Sequence, residues 1–376
     1  MMIETKGSFF NIAYLDSTTI VIVSYRCEIF LMSTAKPASA KVYYQGHYWN
    51  DLPEVQEYLC QNFTDNKEVW WTQDIKDRFA PGKKQFKKGL FLCDGNGWVS
   101  REFIDKKIVS EAVAFDWSTD LLKEAEAKKG KRNICYFQAD VNTINFENDE
   151  FDLIVNNAAL HHVQYLNRLL YILSKALQPD GIFISSDYIG PQRNQYTRSH
   201  WDKIVRFNST LPEVIRHENL HYPHLPTMLY TDSTEAIHAD LIIKTMMRYF
   251  DLFEQHDTNG GLAYHLLTHN AKAFAIPAVV RKPLVKMILE ADRKLTKEKK
   301  VPVLFSYFIA RPKKKPLAEE LVDKYQAEED SREKMAGYFF GTYFFQDFLK
   351  IVRHRGIKAF FLSELKQLAF QLLKKK

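Results

Sequence analysis

The apolar and polar positions of this chain change period repeatedly, and each change marks a predicted element. "GLFLCDG" reads as a strand and turn, "SREFIDKKI" as a short helix, and "SEAVAFD" as a strand ending on Asp116. "STDLLKEAEAKKGK" is a helix with Ser118 at its N-cap, and "NICYFQAD" is a strand ending on Asp140. "EFDLIVNNAAL" has the unbroken apolar character of a buried strand, "HVQYLNRLLYILSKALQPDG" is a helix closed by Pro and Gly, and "IFISSDYIG" is another apolar strand. Such alternation predicts an α/β chain, a parallel sheet with helices on both faces.

Either side of this core the pattern changes. In residues 41–88, Pro53 sits at a helix start and Val55, Leu59 and Phe63 recur at helical spacing, predicting a helical approach to the sheet. Residues 190–230 are polar, aromatic and proline-marked, as in an insertion over a site. "DSTEAIHADLIIKTMMRYF" reads as a helix opened by an Asp232/Glu235 capping box, "DLFEQHD" and "VLFSYFIARP" as strands, and Pro316 as the start of a charged helix. Residues 1–31 carry β-like apolar runs of unassigned role, and "STAKPASAK" after Met32 reads as a flexible start, with Met32 an alternative translation start. The predicted division is 1–31, an N-terminal segment; 32–88, a helical approach or lid; 89–312, the α/β domain with its insertion; and 313–376, a charged helix and amphipathic tail.

Composition narrows the classes. Apolar content of 46% is enough for a sizeable core. The four cysteines form no CxxC pair and no Cys/His metal pattern, and no acidic cluster announces a catalytic metal, so the expectation is a reducing cytoplasm and no metal. The net charge of +6 equals that of residues 337–376, where eight bases face Asp347 and Glu364. The rest is neutral overall, which excludes a general nucleic-acid coat and leaves a local basic tail. With Phe360, Phe361, Leu365, Leu368 and Leu372 on one face, that tail can lie on an anionic membrane surface or pack on the domain.

Ligands of open parallel sheets sit at the carboxyl ends of the strands. In "FLCDGNGWVSREF", Gly95 and Gly97 let backbone approach a ligand closely, although GxG alone is a weak signal. Asp116 ends the second strand about 20 residues later, where an acid can take both hydroxyls of a ribose. Asp140 ends the third, placed to meet an adenine amino group. Bland readings stand beside these, a helix cap for Asp116 and a turn residue for Asp140. A nicotinamide-dependent oxidoreductase would need a third glycine where this chain has Ser100.

The ordered set "LCDGNGWVSRE", "AVAFDWSTDLL", "FQADVNTINFENDEFDLIVNNAALHHV" and "LSKALQPDGIFISSDYIGP" resembles the class I S-adenosylmethionine-dependent methyltransferases, over roughly residues 89–310. Within them it looks similar to bacterial methyltransferases that accompany polysaccharide and O-antigen genes, through Tyr48-Trp49, the run Asp187 to Gln195, and Asp232 to Ala236. The resemblance implies a Rossmann-like seven-stranded sheet and the cofactor S-adenosyl-L-methionine. Gly95 and Gly97 would line its methionine end, Asp116 would hold the ribose with Trp117 flanking the adenine, Asp140 and Val141 would meet the adenine edge, and Asn156 would stand beside the sulfonium. The family usually has Gly at position 93 and often an acid at 91, where this chain has Cys93 and Phe91.

The implied reaction is methyl transfer to a hydroxyl of a sugar or glycan intermediate. Its alternatives are another small-molecule acceptor, or a non-catalytic adaptor whose tail binds a partner or membrane. A hydroxyl must lose its proton, and His161, His162, Asp187 and Tyr188 lie at strand ends; His161 and Asp187 are the favoured bases.

Overall fold

The structure, a computed structural model, describes residues 10–16, 19–24, 47–223, 225, 228 and 232–332. The unassigned N-terminal runs form an antiparallel pair, β1 (Phe10–Asp16) and β2 (Thr19–Ser24). The 333–376 part of the tail and the proposed start at Met32 lie outside the described residues.

Two helices precede the sheet. α1 (Pro53–Thr64) starts on proline, whose fixed φ suits a first turn and whose missing N–H has no intrahelical partner there. It buries Val55, Leu59 and Phe63, the residues at helical spacing. Its buried Glu54 accepts from Arg281 Nε at 3.1 Å, tying it to the long helix Ala278–Lys297. α2 (Trp71–Phe79) buries Trp71 and Ile75 in the same apolar cluster as α1.

The central sheet has seven strands: β3 (Phe86–Leu92), β4 (Val109–Asp116), β5 (Ile134–Gln138), β6 (Phe151–Asn157), β7 (Leu177–Tyr188), β8 (Phe250–Asp257) and β9 (Phe305–Pro312), in the order β5-β4-β3-β6-β7-β9-β8. The strands from β3 to β7 pair in parallel, joined through α3 (Trp98–Asp105), α4 (Thr119–Lys129) and α5 (Leu166–Ala176). β9 runs antiparallel between β7 and β8, so the expected seven-stranded Rossmann-like sheet is completed by an antiparallel end that the βα alternation alone did not mark. Helices cover both faces, and the core is split accordingly. Phe91, Phe103, Val155 and Tyr307 belong to one cluster, Leu90, Phe115, Leu160 and Phe308 to the other. The near-continuous apolar runs of β3, β4 and β6 follow from burial on both sides. β8, at the sheet edge, alternates buried or half-buried with exposed residues and carries charges outward, as an edge strand must.

Three local expectations need correction. β7 begins at Leu177, so Pro179 and Gly181 lie in the strand and α5 ends at Ala176. Asp140 stands two residues past β5, in a turn that its own carbonyl closes by accepting from Thr143 and Ile144. The Asp232–Glu235 pattern opens no helix: the chain runs through turns there, and the helix is Ile242–Tyr249. Asp232 still acts as a turn residue, its Oδ1 accepting from Thr234 N at 2.8 Å.

Candidate functional site

The parallel strands bring the predicted residues to one end of the sheet. After β3 the chain turns sharply: Cys93 has φ 44, Gly95 φ 55 and Gly97 φ 77, all left-handed. Glycine takes this conformation freely and cysteine does not, so the departure at position 93 leaves the fold intact but strained. The two glycines have separate tasks. Gly95 N donates to Asp116 Oδ2 at 3.0 Å, which locks the turn to the end of β4. Gly97 is needed for packing, because an added Cβ would lie 2.3 Å from Tyr136 Oη.

Asp116 also accepts from Ser118 N at 2.8 Å through Oδ1. Burial raises its pKa, and the bonds from Ser118 and Gly95 oppose the rise. Ser118 caps α4 as expected, its Oγ accepting from Leu121 N. The next residue along from Asp116, Trp117, leaves 44% of its surface exposed at the strand end. A large apolar ring held open beside a half-buried acid is what an adenosine group requires, a flat surface for the base and acceptors for the ribose.

Asp140 accepts from Asn142 N at 2.8 Å, and Asn142 Oδ1 in turn accepts from the backbone of Gln164 and Tyr165, which joins this turn to the start of α5. Val141 packs half-buried against the Leu90–Phe115 cluster. Cys93 lies in the middle of the strand ends: burial pushes its thiol well above the ordinary range, and Asp116, Asp140, Asp187 and Asp94 all act in the same direction. Phe91, where an acid is usual, is 1% exposed and packs edge-on against Phe103 at 5.3 Å. An acid does occur three residues on. Asp94 is buried, with Oδ2 lacking a partner among the described residues, and burial lifts its carboxyl to about 7 against hydrogen bonds from Ser100. Sequence reasoning passed over Asp94 because an aspartate beside glycine reads as an ordinary turn residue.

Asn156, at the end of β6, is 1% exposed and saturated. Its Nδ2 donates to Ser185 Oγ and Asp187 Oδ2, and its Oδ1 accepts from Ala159 and Leu160 N. It therefore works as a latch between β6, β7 and the turn that follows. Asp187 is equally engaged. Oδ2 accepts from Asn156 and Leu160 N, while Oδ1 accepts from Tyr188 N at 2.7 Å and faces His161 Nδ1 at 2.6 Å. His161 and Asp187, named separately from the sequence, are thus one unit. Tyr188 bonds Tyr196 at 3.1 Å in the interior, away from any proton-transfer role.

His161 and His162 lie on the 3₁₀ turn Leu160–His162, their rings 4.1 Å apart between centroids. Glu235 approaches both: its Oε2 is 3.8 Å from His161 Nε2 and 3.7 Å from His162 Nε2. The loop carrying it is pinned by Ile237 N donating to His161 O, and by Arg193, which donates from Nη1 to Ser233 O and from N to Ala236 O. For His161, burial disfavours the proton, but Asp187, Glu235 and Asp232 outweigh it and raise its pKa to about 9. For His162, burial and the neighbouring His161 prevail and lower it. This group could not be read from the sequence, since Glu235 is 73 positions beyond His162 and its spacing resembles a helix cap. His161, His162 and Glu235 offer ligand atoms within 4.8 Å of one another. Trp49, part of the Tyr48-Trp49 element of the resemblance, is buried against Phe305 and Tyr264, so its ring serves the core.

Part of this chain is similar to known proteins. Residues 92–185 match the methyltransferase domain family. The mouse mitochondrial protein named arginine-hydroxylase NDUFAF5 is 30% identical over 117 residues, 31% of this chain and 33% of that protein. The demethylmenaquinone methyltransferase of Leptospira interrogans is 26% identical over 114 residues, 29% of this chain and 45% of that one. The match thus spans between a third and a half of these curated relatives. Among solved structures, an S-adenosylmethionine-dependent methyltransferase from Mesorhizobium loti is similar with a TM-score of 0.41 and 17% identity, covering 64% of this chain and 96% of that one. Residues 92–185 thus match a methyltransferase domain, and S-adenosyl-L-methionine is the cofactor that match supports.

Proposed function

We propose that this protein transfers the methyl group of S-adenosyl-L-methionine to a hydroxyl of a sugar or glycan intermediate. The observation that carries the reading is the pairing at the strand ends of a half-buried, backbone-locked acid, Asp116, with the open ring of Trp117, beside the His161–Asp187 pair. Asp116 and Trp117 hold the adenosine, Asp140 and Val141 border the base, and the turn at Gly95 and Gly97 borders the methionine end. Asn156 supports the sulfonium side from beneath, by fixing the turn that carries His161.

Methyl transfer forms an O–C bond as the S–C bond breaks, with the electron pair passing to sulfur. The cofactor supplies an activated methyl, so positioning the acceptor at ~3–3.5 Å can supply most of the acceleration. The acceptor's proton leaves on the His161 side. Asp187 has no vacant acceptor position and orients His161 through Nδ1, so His161 Nε2, once it has released the proton the surrounding acids hold on it, is the atom that meets the hydroxyl. A sugar acceptor is favoured by the resemblance of the Asp187–Gln195 and Asp232–Ala236 runs to polysaccharide-cluster enzymes. Residues 337–376 would bring the enzyme to a membrane carrying a lipid-linked acceptor, each basic residue near an anionic surface contributing ~1 kcal/mol.

The test is a methylation assay with labelled cofactor against extracted lipid-linked glycans and free sugars, beside calorimetry of cofactor binding. Transfer to a glycan hydroxyl supports the reading. Cofactor binding with transfer only to an unrelated small molecule, or with no transfer, rejects the sugar acceptor. Co-sedimentation with anionic vesicles at low salt, lost on deleting residues 337–376, tests the tail.

A further inference from the structure

We propose that His161, His162 and Glu235 form a binding site for a first-row divalent cation of the zinc type, at the acceptor end of the methyl-transfer cleft.

The hydrogen bonds around the two imidazoles set their tautomers. Asp187 accepts from Asn156 Nδ2 and from the backbone N–H groups of Leu160 and Tyr188, so it stands as a carboxylate, and the hydrogen in its 2.6 Å contact with His161 belongs to Nδ1. Thr234 Oγ1 donates to Asp232 Oδ1 at 2.6 Å. That uses its single hydrogen, so toward His162 Nδ1 at 3.0 Å it accepts, and His162 also carries its hydrogen on Nδ1. In their neutral forms both rings turn an Nε2 lone pair toward the same carboxylate oxygen, Glu235 Oε2. Those separations, 3.8 and 3.7 Å, exceed a hydrogen bond. They suit two ligands of one ion, since atoms each ~2.1 Å from a metal lie roughly 3.4–4.2 Å apart for angles from tetrahedral to linear.

Without a metal the surrounding acids hold a proton on His161, and a cation that binds all three groups displaces it. Each Nδ1–H is held by an oxygen that leads to a carboxylate, directly to Asp187 and through Thr234 to Asp232, the outer arrangement that orients metal-binding histidines. Two imidazoles and one carboxylate favour zinc, iron, cobalt or nickel over magnesium or calcium. The carboxylates of Asp187, Asp232 and Glu235 offset a dication, and the half-buried His162 and Glu235 leave the outward side for a further ligand. Three protein ligands with an open position is the catalytic pattern rather than the structural one. In the proposed reaction that ligand is the acceptor hydroxyl. Coordination lowers its pKa, its proton passes to water, and the oxygen attacks the methyl carbon; His161 then acts as a ligand rather than as the base. The catalytic role rests on the methyl-transfer reading, but cation binding does not.

The experiment uses the full chain, stripped with chelator and titrated with Zn²⁺ by calorimetry and with Co²⁺ by visible absorption. One equivalent is expected, with Co²⁺ bands of a nitrogen- and oxygen-ligated site. His162→Ala and Glu235→Gln should each weaken Zn²⁺ at least about 100-fold, and Asp187→Asn about 10–100-fold as an outer partner. His256→Ala, on the edge strand, should leave the equivalent in place, and cofactor affinity should be unchanged in Glu235→Gln. Absence of a saturable equivalent, or one that survives both ligand variants, overturns the site. If the cation binds as described while S-adenosyl-L-methionine does not bind, the site stands and the functional reading fails; if the cofactor binds and the cation does not, the reverse holds.

Discussion

His161 Nδ1 lies 2.6 Å from Asp187 Oδ1, and the aspartate gives its other accepting directions to Asn156, Leu160 and Tyr188. An oxygen that already accepts from fixed backbone N–H groups cannot take a proton from a substrate without losing them. Asp187 therefore acts through His161, as a positioning residue, and its own role follows from its partners rather than from its place at a strand end.

Replacing Asp187 with Asn would put an amide NH₂ among donors. One of the Leu160 or Tyr188 N–H groups loses its acceptor in the interior, which costs about 1–3 kcal/mol. Turnover should fall ~10²-fold or more as the imidazole loses its orientation, while the dissociation constant for S-adenosyl-L-methionine moves less than about threefold. Steady-state kinetics beside calorimetry make the comparison. Equal losses in both would assign Asp187 to the cofactor instead.

Asp116→Ala removes the carboxylate that meets the ribose and also frees Gly95 N. Hydrogen bonds to a charged group contribute about 1.5–3 kcal/mol, so affinity for the cofactor should drop roughly 10- to 150-fold. The far-ultraviolet circular dichroism should stay native. A dissociation constant equal to that of the unaltered protein would remove Asp116 from the site.

Cys93 holds φ 44 where glycine is ordinary. The left-handed conformation costs a side chain roughly 1–2 kcal/mol, and glycine returns about 0.5–1 kcal/mol of that as unfolded-state entropy. Cys93→Gly should therefore raise the melting temperature slightly and Cys93→Val should lower it clearly. Thermal denaturation of the pair settles the order, and the reverse ranking would contradict a strained turn.

Asp94 gives a pH dependence with a defined sign. Burial holds its carboxyl at about 7 against an ordinary 3.8, so between those values the folded chain keeps a proton that the unfolded chain has released. Stability from this group is present at low pH and lost as pH rises through that window, by about 1.4 kcal/mol per unit at most. Asp94→Asn, neutral throughout, should match the native protein near pH 4 and melt higher than it at pH 8. Melting curves of the cofactor-free proteins across that range test it, and an Asn variant less stable at pH 8 would show that the charge is compensated in the fold.

Much of this arrangement is legible in the sequence because parallel strands convert linear order into spatial order. A residue at the carboxyl end of one such strand neighbours those at the ends of the others, so Asp116 could be placed from apolar runs, while Asn156 entered through the family resemblance. What could not be read depends on contacts distant in sequence. β9 enters the sheet antiparallel, which no periodicity encodes. The Asp232–Glu235 spacing satisfies a capping box as well as it satisfies a turn bearing Glu235 to the histidines, and only the pins from Ile237 and Arg193 decide between them. Phe91 looked like a missing acid from local pattern, whereas its side chain belongs to the core beside Phe103.

The pin between Ile237 N and His161 O ties the loop that carries Glu235 to the turn that carries the histidines. The chain before it, from Tyr196 to Ile215, belongs to the core, where Tyr196, Ile204, Leu211 and Ile215 are buried. Anyone re-engineering the acceptor side would therefore start from exposed positions of that stretch, such as Val205 and Val214, and leave its buried ones alone.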